Sequence, residues 1–209
     1  MSRLLCVAAD KNIEATLSTL LECRQPALGV SSFSFRVVVH PRRDPGCFRD
    51  GPDFLNGLLS SGDDRGLLVF DQAWEGNPYA TAAETANAIR ERFVSLGIAG
   101  QAEVVVIEPE IEAWVWNTSP HVSKVLRWDD TRSPLREWLA ERDLWPMELP
   151  KPPDPKAAME AVLRVRHIPR SSSLYRELAR KVGLKSCQDE AFQHLRNVLR
   201  RWFPPDYPC

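Results

Sequence analysis

The 209-residue chain lacks most of the short patterns that announce a chemistry. It has no G-x-x-x-x-G-K-[ST] and no G-x-G-x-x-G, so neither glycine-rich loop that cradles nucleotide phosphates is present. H-E-x-x-H and G-x-S-x-G are missing too, which leaves metallopeptidase and serine-hydrolase readings without a motif. The five cysteines (Cys6, Cys23, Cys47, Cys187, Cys209) form no C-x-x-C pair. An odd, widely spaced set argues against both a disulfide framework and a zinc ribbon, and a reducing cytoplasm is the compartment it suggests. No apolar run approaches the ~20 residues of a membrane span, so no membrane partner is expected. The opening MSRLLCVAAD runs into a strand-like segment without signal-peptide architecture. Neither sign of charge dominates: 27 basic against 28 acidic residues give a net charge of −1, which predicts no strong general attraction to nucleic acid or to a lipid surface. There is no internal repeat and no low-complexity tract.

What is present is an alternation of short apolar runs and helical spacings. Arg3 to Ala9, Phe33 to Val39, Gly66 to Phe70 and Val104 to Ile107 read as strands, the last an unbroken β-branched run of the kind a parallel strand with two covered faces needs. Between them, Ile13, Leu17, Leu20 and Leu21 recur at helical spacing after Asn12. Phe54 to Leu59 reads as a short helix, and the alanine-rich 80–96 as a longer one closed by Gly97. The proline-broken HPRRDPGCFRD after the second strand is expected to be a loop. Four strands alternating with helices imply right-handed crossovers and an α/β fold with a mostly parallel sheet. Past Trp116 the spacing is helical, with helices expected near 109–117, 120–127, 133–143, 155–167, 172–182 and 188–202. Residues 146–154 would link an α/β domain (1–145) to a helical C-terminal extension (155–209) packed on it.

The stretch AEVVVIEPEIEAWVW, 102–116, organises the functional reading, because a buried strand there ends in Glu108, Glu110 and Glu112. Carboxylates in a first helical turn also complement the helix dipole, which accounts for Glu110 and Glu112 without any function. Yet ligands of open α/β sheets bind beyond the carboxyl ends of the strands, and acids follow three of the four strands: Asp10 and Glu14, then Asp71 and Glu75, then Glu108 to Glu112. Parallel connectivity puts these at one edge, where they could converge on a divalent cation, and Mg²⁺ with one or two carboxylates suits phosphoryl transfer. His40 ends the second strand beside Arg42 and Arg43, a setting suited to phosphate or to a simple His-Pro turn. His121, His167 and His194 read as packing or surface residues, the seven tryptophans as core and helix-face aromatics, and the basic last third as a solvated face.

The order strand, helix, strand, helix, strand-Asp (VFDQ), helix, strand, then Glu112-Ala113-Trp114, resembles the Toprim fold of topoisomerases, primases and overcoming-lysogenisation-defect nucleases. Asp154-Pro155-Lys156, the Ser172 to Tyr175 segment and the helix carrying Phe192 and Leu195 are similar to the C-terminal region of small bacterial stand-alone Toprim-like proteins found among phage-defence genes. The resemblance implies a Mg²⁺- or Mn²⁺-dependent phosphodiester-cleaving component of an anti-phage system, acting on DNA or RNA with protein partners from the same operon. Asp71 and Glu112 would be metal ligands, Asp10, Glu14, Glu75 and Glu108 auxiliary acids, and His40, Arg43 and Lys156 the phosphate and charge-neutralising groups. Two departures weigh against activity. Ala8 stands where the family's first-strand glutamate is expected, and Ala73 at the second acid of Asp-x-Asp. The alternative is therefore a silent Toprim-like subunit that binds a partner protein or nucleic acid.

Overall fold

The computed structural model describes residues 3–117, 119–128, 132–184 and 187–205. Four strands, β1 (Arg3–Ala8), β2 (Ser34–Val39), β3 (Arg65–Asp71) and β4 (Ala102–Ile107), form one all-parallel sheet in the order β2-β1-β3-β4. The central strands are buried almost throughout, as LLCVA and GLLVF require, whereas β2 at one edge alternates between exposed and half-buried positions. Helix α1 (Lys11–Cys23) joins β1 to β2 in one direction. Helices α3 (Arg43–Leu58) and α4 (Ala82–Ser95) join β2 to β3 and β3 to β4 in the other. Right-handed crossovers then place α1 on one face and α3 with α4 on the opposite face. The reversal lies between β1 and β3, and at such a point the chain leaves a crevice beyond the strand ends. A four-residue helix, α2 (Gln25–Leu28), closes at Gly29, whose φ of 76° is the left-handed conformation glycine tolerates.

The segment expected to be a loop after β2 is largely helix: α3 begins at Arg43 and runs through Pro45 and Pro52. Pro45 falls in the first turn, where a missing N–H leaves nothing unpaired. Pro52 is interior and leaves the Phe48 carbonyl without its helical donor, but Arg92 of α4 reaches across and donates Nη1 to that oxygen at 2.9 Å. The first turn of α3 is also pressed against His40. A Cβ on Gly46 would stand 2.3 Å from the His40 Nδ1, so only glycine fits there.

After β4 a single 3₁₀ turn (Ile111–Trp114) leads to α5 (Pro120–Val125), α6 (Leu135–Ala140), α7 (Pro155–Val165), α8 (Ser172–Lys181) and α9 (Glu190–Trp202). Apolar packing divides these helices between two cores. Phe192, Leu195, Val198 and Leu199 of α9 belong to the sheet core, and α9 packs on β4. Helices α5 to α7 build a second, tryptophan-rich core around Trp116, Trp128, Trp145 and Met159. Helix α8 serves both, since Tyr175 and Ala179 enter the sheet core against α1 while Leu174 and Leu178 enter the second. Two stripes offset by one residue on a helix face adjoining directions, which is how one helix joins two cores.

Candidate functional site

Beyond the carboxyl ends of β1, β3 and β4, five acids are delivered by five separate local devices. Asp10, just after β1, caps α1 by accepting from the N–H groups of Asn12 and Ile13, both at 2.8 Å. Asp44, in the first turn of α3, accepts the backbone N–H of Asp71 at 2.9 Å and so ties that helix to the end of β3. Asp71 closes β3 opposite Ile107 of β4. Its Oδ1 is fully buried and, among the described residues, has no hydrogen-bond partner. Glu110 caps the 3₁₀ turn with its backbone alone, and its side chain instead takes the Lys156 ammonium at 2.8 Å. Glu112, two residues on, is completely buried. Its Oε1 accepts from the Arg170 guanidinium and the Tyr175 hydroxyl, while its Oε2 has no partner among the described residues.

The electrostatics follow from this crowding. Burial pushes the Asp71 carboxyl well above the usual aspartate range, and the nearby charges of Asp44, Glu112, Asp10 and Glu110 push in the same direction. Asp44 is also raised by burial, partly offset by the N–H of Asp71 that it accepts. Lys156 is held above its ordinary value by its hydrogen bond to Glu110. Burial and the Glu112 charge push the Tyr175 hydroxyl up, and Arg170 is raised by Tyr175 and Glu112 although its own burial acts the other way. A buried carboxylate, a tyrosine and an arginine therefore form a hydrogen-bonded trio near a carboxyl group that favours its proton.

The remaining expected residues lie elsewhere or in other roles. Glu14 is on α1 and accepts from the Ser18 hydroxyl at 3.1 Å; Glu75 is exposed in the loop after β3; Glu108 is exposed and accepts the Ala82 N–H at the start of α4. None of the three is among the largest charge contributions at Asp71. His40 is 1% exposed, and its Nδ1 accepts the Arg42 N–H at 3.2 Å, which leaves the ring proton on Nε2, 3.6 Å from the Asp50 carboxylate. Burial lowers its pKa, so the ring is neutral near pH 7. Among the described residues no three His, Cys, Asp or Glu side chains are set as they stand to hold a metal ion.

Next to the acids, an open cleft of about 440 Å³ is walled by the β1–α1 and β2–α3 connections and by Arg170. Its rim carries Lys11 and Arg43, neither of which has an ion pair or side-chain hydrogen bond among the described residues. Three residues important here carried no assigned role in the sequence reading: Asp44, Arg170 and Tyr175. Asp44 has the signal of following a strand. Tyr175 sits in a segment noted only for its resemblance, and Arg170 has no signal, because a surface-looking arginine on a helical tail does not reveal a carboxylate 58 positions away. Comparison with protein-family models, with curated proteins and with solved structures finds no match for this chain.

Proposed function

We propose that the β1/β3/β4 edge is a divalent-cation-dependent, phosphodiester-cleaving site, and that the chain is a Toprim-like component of a bacterial anti-phage system acting on DNA or RNA. The observation that carries the reading is a pair of buried carboxyl oxygens without a partner among the described residues, Asp71 Oδ1 at the end of β3 and Glu112 Oε2 in the turn that follows β4. Buried polar atoms without partners are uncommon and expensive, and two carboxyl oxygens at one sheet edge, close enough for their charges to interact, suit a hard cation. Asp71 and Glu112 would hold Mg²⁺ or Mn²⁺, with Asp10 and Asp44 adding negative charge around them. Bound there, the cation would polarise a phosphoryl oxygen and lower the pKa of a coordinated water. Without it, Asp71 keeps a proton. Lys156, already drawn to Glu110, supplies positive charge to offset what develops on a phosphate at this edge.

A second reading, a silent subunit that binds a partner, has its own observation. Arg170 already supplies the cation that Glu112 needs, and among the described residues no three-ligand arrangement stands ready. Thermal shift with and without millimolar Mg²⁺ or Mn²⁺ separates the two, together with cleavage assays on single-stranded and duplex DNA and RNA. For the enzyme, the wild type gains stability with cation and cleaves, whereas Asp71→Asn and Glu112→Gln lose both effects. A wild type with neither a cation-induced shift nor cleavage selects the silent subunit.

A further inference from the structure

Arg170 has more than one neighbour. Its guanidinium holds the Glu112 carboxylate and, through Nε at 3.0 Å, the Tyr175 hydroxyl; its Nη1 stands 3.9 Å from the Glu160 carboxylate, a long and exposed pair that a phosphate can outcompete, and the residue also lines the open cleft that Lys11 and Arg43 border. Among the described residues Lys11 and Arg43 have no ion pair or side-chain hydrogen bond, and Asp10, the acid that lines the cleft with them, turns Oδ1 to the N–H groups that open α1. Three cationic residues therefore line one cleft, of a size to take a phosphate and its neighbouring atoms, and Asp10 and Arg170 make it adjoin the acidic edge. His40 contributes shape rather than charge, since its ring is neutral and turned to Asp50.

We propose that this cleft binds a phosphoryl anion of the substrate through Lys11, Arg43 and Arg170, and that the anion draws Arg170 away from Glu112. The proposal rests on the reading of the edge as a cation site and adds what opens it. Guanidinium binds phosphate and carboxylate with the same bidentate geometry, so the two compete for Arg170 directly. Removal of Arg170 leaves Glu112 buried with only a tyrosine, a state that is costly until a cation replaces the guanidinium. Phosphate and divalent cation should therefore bind cooperatively, and by linkage each should strengthen the other by the same factor. An empty site stays locked by its own arginine; a filled cleft unlocks it.

The source of the anion is either a free phosphate or the backbone of a nucleic acid, and two probes distinguish them. Inorganic phosphate and a DNA trinucleotide without terminal phosphates are titrated calorimetrically into the full chain, each with and without Mg²⁺. At least one probe should bind, with roughly tenfold weaker binding in Lys11→Gln/Arg43→Gln, whose altered side chains are both exposed and outside the core. Equal affinity of this variant and the wild type, or no binding of either probe, overturns the cleft assignment. Mg²⁺ should tighten the anion several-fold, and Arg170→Gln should abolish that coupling while raising the affinity for Mg²⁺ alone; Arg170→Lys should restore it in part. Anion binding that Mg²⁺ leaves unchanged overturns the exchange at Glu112. Neither readout involves cleavage, so a chain that binds phosphate and cation cooperatively yet cuts nothing would refute the proposed activity without touching this site.

Discussion

At Asp71 burial and the neighbouring charges act in the same direction. Its folded pKa is raised, so between the ordinary aspartate value near 3.8 and the raised value the native state binds a proton that the unfolded state has released. Stability is then fully present below the ordinary value and falls as pH rises toward the folded one, by about 1.4 kcal/mol for each unit of pH within that window. Asp71→Asn removes this dependence. Without metal, the variant should melt a few degrees above the wild type at pH 7, and the two should converge as pH is lowered toward 4, a difference that calorimetry across pH measures directly. A variant less stable than the wild type at pH 7 would mean that the carboxyl group makes a contact the asparagine cannot. Asp71 was legible in the sequence because a charge ending an apolar strand has few places to go. Glu112, five residues past the end of β4, was singled out by the Glu-Ala-Trp resemblance, and its burial against Arg170 and Tyr175 was not legible, since helical periodicity says which residues share a face and nothing about which distant carboxylate they meet. Glu75 and Glu108 differ from both: position after a strand places them near the same edge, and they are exposed in loops.

At the scale of elements, the strands and most helices were readable because their apolar spacing, caps and terminal glycines agree. Helix α3 was not. Its prolines read as breaks, and the compensation comes from another helix: Arg92 donates to the carbonyls of Phe48 and Arg49 and pairs with Asp53 at 2.6 Å. The carbonyl contacts carry the stabilisation, because an exposed ion pair contributes little whereas a carbonyl stripped of its donor costs a hydrogen bond. Arg92→Ala should therefore cost about 1 kcal/mol in urea unfolding, and Asp53→Ala less than about 0.5. Equal losses would assign the effect to the ion pair and leave Pro52 without an account. The placement of α3 reaches the candidate site through its first turn, where Asp44 holds the end of β3, so a loosened α3 should also weaken any cation binding at Asp71.

At the scale of the whole molecule, the helical tail is continuous with the sheet domain in packing. Tyr175, Phe192, Leu195 and Leu199 are buried in the core that the strands build, and α8 ties that core to the tryptophan-rich one. Each such side chain contributes about 1.5–3 kcal/mol by burial, so four of them approach the net stability of an ordinary domain. A chain ending at Leu149 loses all four. It also leaves Glu112 with neither Arg170 nor Tyr175, a buried carboxylate that must take up a proton or pull water into the core. The apolar faces of α1 and β4 that α8 and α9 cover would be open to solvent, a surface that favours self-association. The truncated chain should therefore be aggregation-prone, elute early in size-exclusion chromatography, bind an apolar dye and show no cooperative melting. Adding Glu112→Gln to the truncation should relieve the charge but not the exposed surface, improving solubility little. If the truncated chain is instead monomeric and melts cooperatively at the temperature of the full chain, then α8 and α9 are an independent module and the lock on Glu112 is a contact between separately folded parts.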